Sequence, residues 1–140
     1  MRVLLDTCVL SEIIRPQGSQ KVKQLVSLYQ REAVYLNVVT IGELARGIAL
    51  LDPGKKREHF ASALLRIESD YAERILSIDL DTGRIWGEID AARKIAGRPL
   101  PIADGLIAAT ALRHGLHVVT RNVKDFSGTG VLITNPWENS

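Results

Sequence analysis

The sequence is poor in the residues that build sulfur- and nitrogen-ligated sites. Its 140 residues include one cysteine, Cys8, and three scattered histidines. A lone cysteine excludes an intrachain disulfide framework. With so few Cys and His ligands, a structural zinc site is excluded as well. Aromatics are scarce, with two Trp, three Tyr and two Phe, and no stacking platform for bases stands out. No apolar run approaches the roughly 18 residues needed to span a bilayer. The opening Met1-Arg2-Val3-Leu4-Leu5-Asp6 lacks a signal peptide's apolar stretch and cleavage site, so a cytoplasmic location without membrane contact is expected. Neither sign of charge dominates. Eighteen Lys and Arg against 16 Asp and Glu leave +2, which permits a polyanionic partner without requiring one. No repeat, low-complexity tract or linker divides the chain. It reads as one domain over 1–140, and its 46% hydrophobic residues suffice for a core and exclude disorder over most of its length.

What is present alternates between strand and helix patterns. Arg2 to Leu5 reads as a buried strand ending at Asp6, and Thr7 to Ile14 as a short helix stopped near Pro16 and Gly18. Ser19 caps a second helix carrying Val22, Leu25, Val26 and Leu28-Tyr29 on one side. Val34 to Val39, rich in β-branched residues, reads as a second strand. Thr40 opens a third helix, ended by Asp52-Pro53-Gly54, and Lys55 to about Tyr71 forms a fourth. Arg74 to Ile78 is a third strand candidate. Asp81 to Ile95 is a fifth helix with Ile85, Trp86, Ile89 and Ala92 on its apolar side. Pro101 starts a small-residue helix, Ile102 to His114, that Gly115 ends. Val118 to Thr120 and Val131 to Ile133 complete the strands. The pattern predicts an α/β fold with a mainly parallel sheet of four to five strands. Functional side chains are then expected beyond the carboxyl ends of the strands.

Carboxylates and amides stand at those places. Asp6 ends the first strand, Glu43 lies in the expected first turn of the third helix, and Asp104 lies in the first turn after Pro101. Asn122 and Asp125 follow the fourth strand. Each has an ordinary structural reading: Asp6 as a helix cap, Thr40 and Glu43 as a capping box, Asp104 as a first-turn acid, Asn122 and Asp125 as turn formers. Gathered at one sheet edge, they would repel one another unless a cation offset the charge. An all-oxygen set suits Mg²⁺ or Mn²⁺. Such an ion activates water and stabilises charge on a phosphoryl oxygen, which points to phosphodiester hydrolysis.

The same positions carry a family resemblance. Val3-Leu4-Leu5-Asp6-Thr7-Cys8, Thr40-Ile41-Gly42-Glu43-Leu44, Pro101-Ile102-Ala103-Asp104-Gly105 and Val118-Val119-Thr120-Arg121-Asn122-Val123-Lys124-Asp125-Phe126 resemble, in order, the four acidic motifs of PIN-domain proteins. The ending Asn135-Pro136-Trp137-Glu138 is similar to that of the VapC and FitB-like toxins. The resemblance implies a PIN-like α/β/α sandwich and a Mg²⁺- or Mn²⁺-dependent endoribonuclease, the toxin of a bacterial type II toxin–antitoxin pair. It implies Asp6, Glu43 and Asp104 as metal-binding carboxylates, with Thr7 supporting the site. Asn122, where some members carry Asp, or Asp125 a turn further on, supplies the fourth ligand. In-line attack by metal-activated water would leave 5′-phosphate and 3′-hydroxyl ends. The implied partners are RNA, a cognate antitoxin seated on helices 19–31 and 40–71, and a second copy in a dimer or larger assembly. DNA is reached only through the antitoxin. Cys8 replaces an Asn common in the family and is expected to be a small buried residue.

The basic stretch Lys55-Lys56-Arg57 with Arg46 and Arg66 is open to two readings, a solvated helix start or phosphate contact. Arg121, beside Asn122, is the stronger candidate for touching substrate, or else an antitoxin. Tyr71 and Trp86 are expected to pack, and Trp137 to cover a helix or an interface. Two other classes compete. One is a non-catalytic RNA- or partner-binding module, kept open by the uncharged Asn122. The other is a phosphotransfer receiver or haloacid-dehalogenase-type phosphatase. The latter would want an Asp where Cys8 stands.

Overall fold

A computed structural model describes residues 1–138. Strand β1 (Val3–Leu5) leads into α1 (Thr7–Ile14) and α2 (Gln20–Ser27), followed by β2 (Val34–Asn37), α3 (Val38–Ala49) and α4 (Lys55–Asp70). Then come β3 (Ile75–Leu76), α5 (Leu80–Ile95), α6 (Ile102–His114), β4 (His117–Val119), α7 (Val123–Phe126) and β5 (Ile133–Thr134). The strands form one five-stranded sheet in the order β3-β2-β1-β4-β5, parallel at every pairing. Asn139 and Ser140, in the expected polar tail, lie outside the described residues.

The sheet is buried on both faces, which explains why β1 is a continuous apolar run. The two-residue strand period sends Val3, Leu5, Val34, Leu36 and Val119 into one core with Val9, Val22, Leu64 and Ile67. Leu4 and Val118 point the other way, against Ile107, Ala108, Ala111 and Phe126. Phe126 is fully buried, which contributes roughly 1.5–3 kcal/mol and anchors short α7. On α6, Gly105, Ile107, Ala108, Ala109, Thr110 and Ala111 are all buried. Small side chains let this helix lie close to its neighbours. An added Cβ at Gly105 would stand 3.0 Å from the Trp86 ring of α5.

Several boundaries differ from expectation. β2 stops at Asn37 and α3 begins at Val38 rather than Thr40. Asn37 is the reason: its Oδ1 accepts from the Val39 N–H at 2.7 Å, capping the helix early. Its Nδ2 also donates to Thr110 Oγ1 at 2.7 Å, tying α3 to α6. Glu43 therefore sits in the second turn, and Thr40, fully buried, forms no capping box. β3 has only two residues, β4 starts one residue early, and β5 lies at Ile133–Thr134 rather than 131–133. On α5 the last buried position is Arg93, while Ala92 is exposed. Arg93 Nη1 donates to the Ser127 carbonyl at 2.5 Å, closing the end of α7. Gly115 ends α6 in the left-handed region at φ +66, where a Cβ is disfavoured.

Candidate active site

The chain order reverses between β1 and β4, which are neighbours in the sheet though far apart in sequence. A crevice at such a switch point, outside the strands' carboxyl ends, is the general ligand position in parallel sheets. Asp6 and Thr120 flank this one. Asp6 is 2% exposed, and its Oδ1 accepts from the Thr7 N–H at 2.8 Å. Its Oδ2 accepts from the buried Thr120 Oγ1 at 2.7 Å. Thr120 Oγ1 in turn accepts from the Asn122 N–H at 2.9 Å. One hydroxyl thus sets both the Asp6 carboxylate and the loop bearing Asn122. Sequence reasoning misses Thr120 as a site residue, because it reads as the end of a β-branched run. Only its position opposite Asp6 across two strands reveals its role.

Glu43 reaches the same crevice from α3. Its Oε1 accepts from Thr7 Oγ1 at 2.5 Å, so Thr7 orients a carboxylate on another element. Asp104 projects from the first turn of α6, as expected, and is half-buried. Asp125 on α7 is half-buried, and its charge bears on the Asp104 carboxyl. Asn122 is exposed at the rim. Asp6, Thr7, Glu43, Asp104 and Asn122 all line one cavity of about 590 Å³. The rest of its wall is mostly apolar, with Ile14, Leu44, Ile48, Leu51 and Phe60, and carries Arg15 and Lys56 toward α4.

Among the described residues no ion pair offsets the charge of this cluster. Burial, then the charges of Asp6, Asp125 and Glu43, push the Asp104 carboxyl up to about 7. Among the described residues none of the four carboxylates pairs with a Lys, Arg or His; the ion pairs involve Glu12, Asp70, Asp79, Asp81 and Asp90. An all-oxygen, anionic donor set without an ion-pair partner fits a hard divalent cation in kind. Among the described residues no three of the His, Cys, Asp and Glu side chains close on a single point. Mg²⁺ held by one or two carboxylates with waters needs no tighter cage.

Cys8 differs from expectation. It is only half-buried, packing against the first core and also lining the cavity. Its Sγ lies 3.5 Å from Asp6 Oδ2 and 3.7 Å from Thr120 Oγ1. Burial, with the Asp6 charge added, pushes the thiol's pKa up. It is therefore a neutral thiol and a poor nucleophile. Arg121 stacks on Trp137, 4.6 Å from the ring centroid, and Lys21 Nζ donates to the Trp137 carbonyl at 3.0 Å. Trp137 thereby covers the sheet edge beside α2. Tyr71 packs against the first core. Trp86 packs against Gly105, and among the described residues its buried indole N–H has no hydrogen-bond acceptor.

Comparison with known proteins agrees with this architecture. The PIN domain family model matches residues 3–131. The toxin FitB of Neisseria gonorrhoeae is 38% identical over 98% of this chain and 99% of its own. A VapC ribonuclease of Sinorhizobium fredii is 36% identical over 97% and 98%. Among solved structures, FitAB bound to an IR36 DNA fragment superposes with a TM-score of 0.92 at 37% identity, covering 99% of this chain and 97% of that one. A toxin–antitoxin complex from Klebsiella pneumoniae superposes with a TM-score of 0.75 at 25% identity, covering 98% and 99%.

Proposed function

The chain belongs to the PIN domain family, and from that premise and the acidic crevice we propose that it is a metal-dependent endoribonuclease, the toxin half of a bacterial toxin–antitoxin module. The observation that carries this reading is the convergence of Asp6, Glu43 and Asp104 on one cavity with no ion-pair partner among the described residues; burial and the neighbouring carboxylates push the Asp104 carboxyl up to about 7. Such a cluster costs stability unless a positive ligand occupies it. The toxin and ribonuclease names of the relatives, and the antitoxin-bound state of a similar fold, support the same reading. The antitoxin and a second copy of the chain are its protein partners, and the cytoplasm its place of action. Among the described residues no helix is long and apolar enough to cross a membrane.

Asp6, Glu43 and Asp104 would hold Mg²⁺ or Mn²⁺ either directly or through its waters, with Asn122 and Asp125 at the fourth position. The ion would supply an acidified water and charge neutralisation at the phosphate. The chain's own part is orientation. Thr120 and the Thr7 N–H hold Asp6, and the Thr7 hydroxyl holds Glu43. Burial and the charge of Asp125 on the adjoining helix favour a proton on the Asp104 carboxyl. Water oxygen bonds to phosphorus as the bond to the 3′ oxygen breaks, and that oxygen takes up a proton. The products carry 5′-phosphate and 3′-hydroxyl ends.

The purified chain is expected to cut RNA in Mg²⁺ or Mn²⁺ and to stop in chelator. Asp104→Asn is expected to slow cleavage more than about 100-fold with the fold intact. Undiminished cleavage by Asp104→Asn would overturn the assignment. RNA binding without cleavage under either ion would leave the non-catalytic module.

A further inference from the structure

The acidic cavity does not stand alone. Arg15, Lys56 and Phe60 line both it and a second concavity of about 440 Å³ that reaches Lys55 and His59 at the start of α4. No carboxylate lines that second concavity. Through Asn122 the acidic cavity also adjoins a third, of about 430 Å³, whose wall carries Arg121 and Lys124 beside Asp125 and Glu138. Cations therefore flank the acidic centre on two walls that share no residue with each other. Among the described residues Lys55, Lys56 and Lys124 make no ion pair, and Arg15 holds only Glu12, at 3.4 Å. The structure thus divides the basic residues of the sequence. Arg57 turns to a separate apolar cavity beside Leu64 and Leu65, and neither Arg46 nor Arg66 lines the three joined concavities.

A cluster of carboxylates repels a polyanion, so a phosphodiester reaches it only if cations on either side hold the flanking phosphates. Asp6 at the floor is 2% exposed, so the backbone must bend inward to present a phosphate there. A single strand can do so, whereas an A-form duplex keeps its phosphates on a rigid cylinder. Phe60, half-buried at the junction of two concavities and edge-on to His59 at 5.4 Å between ring centroids, offers a face on which an unpaired base can stack.

We propose that single-stranded RNA crosses all three concavities, its scissile phosphate over the acidic cavity, with Arg15, Lys55 and Lys56 holding phosphates on one side and Arg121 and Lys124 on the other. This track rests on the nuclease reading above and names the residues that would bind its substrate.

Fluorescence anisotropy in chelator tests it, using a labelled single-stranded oligoribonucleotide of about 12 nucleotides and the full chain. Lys56→Gln and Lys124→Gln are each expected to weaken binding about 3- to 10-fold and to lower the slope of log affinity against log salt by about 0.7. Together they should lower it by about twice that. Lys94→Gln, at a residue lining none of the three concavities, should change neither. The proposal is overturned if either track variant binds like the parent chain. It is equally overturned if a duplex of the same sequence binds as tightly with the same losses. RNA bound with these losses but left uncut in Mg²⁺ and Mn²⁺ would keep the track and remove the nuclease. RNA cut and bound alike by parent and variants would keep the nuclease and remove the track.

Discussion

Asp104 is the residue on which the protein's pH behaviour turns. Its carboxyl rises from 3.8 to about 7 on folding. Between these values the native state binds more protons than the unfolded one, so metal-free stability falls as pH rises from about 4 to 7. Asp104→Asn removes that slope. In chelator at pH 8 the variant should exceed the parent chain by about 1–2 kcal/mol, after discounting for a half-exposed carboxyl. The difference should vanish near pH 4, as urea unfolding at the two pH values would show. Parallel pH profiles for the two proteins would contradict repulsion at Asp104 as the cause. Mg²⁺ or Mn²⁺ should raise the thermal midpoint of the parent chain and leave that of Asp104→Asn nearly unmoved. Thr120 acts through Asp6. Thr120→Val keeps the shape but strands Asp6 Oδ2 and the Asn122 N–H, at a cost of about 1–3 kcal/mol. Cleavage should fall about 10- to 100-fold, and Thr120→Ser should restore most of it.

At the scale of elements, the site depends on how α3 and α6 are seated. Asn37 ends β2 and starts α3 in one step, and it bonds α6 through Thr110. That early start rotates Glu43 to the Thr7 hydroxyl instead of back onto its own helix end. Residues Thr40 to Glu43 match a capping box, yet the buried Asn37 side chain caps the Val39 N–H and starts the helix two residues earlier, so Thr40 lies inside the helix. On α6, Gly105 follows Asp104 directly and faces Trp86 at a distance with no slack. Gly105→Ala gains helix propensity but must push a packed indole, so a net loss of about 1–2 kcal/mol is expected by thermal or urea unfolding. The same displacement should lower cleavage, since Asp104 moves with the helix. A stabilised, fully active Gly105→Ala would show that the α5–α6 contact yields without strain.

Over the whole molecule, a charge of only +2 conceals an acidic cavity between basic flanks. Large apolar side chains also remain outside: Leu28, Leu80 and Ile95 are more than three-quarters exposed. Partner chains are the ordinary use of such surface. Light scattering at tens of micromolar, a concentration at which even modest interfaces assemble, should return twice the 15.4 kDa chain mass. A monomer there would remove the second copy as a partner.

Much of this was legible in the sequence for identifiable reasons. Val3-Leu4-Leu5 is apolar at every position, which a strand buried on both faces requires. Ser19 and Gly115 are cap residues whose local chemistry decides a helix end without distant help. The α/β order and the placement of Asp6 and Asp104 at the starts of helices follow from such local signals. What tertiary structure alone decided depends on neighbours remote in the chain. Thr120 becomes a holder of Asp6 because β1 and β4 pair across more than a hundred residues. Cys8 lines the cavity because Asp6 and Thr120 draw it to the crevice. Arg93 replaces Ala92 on the buried face because the Ser127 carbonyl needs a donor. The raised Asp104 carboxyl exists only once the fold buries it and brings Asp6, Asp125 and Glu43 near. The residue types were set by sequence, but their shared charge is a property of distance, and distance is what the fold supplies.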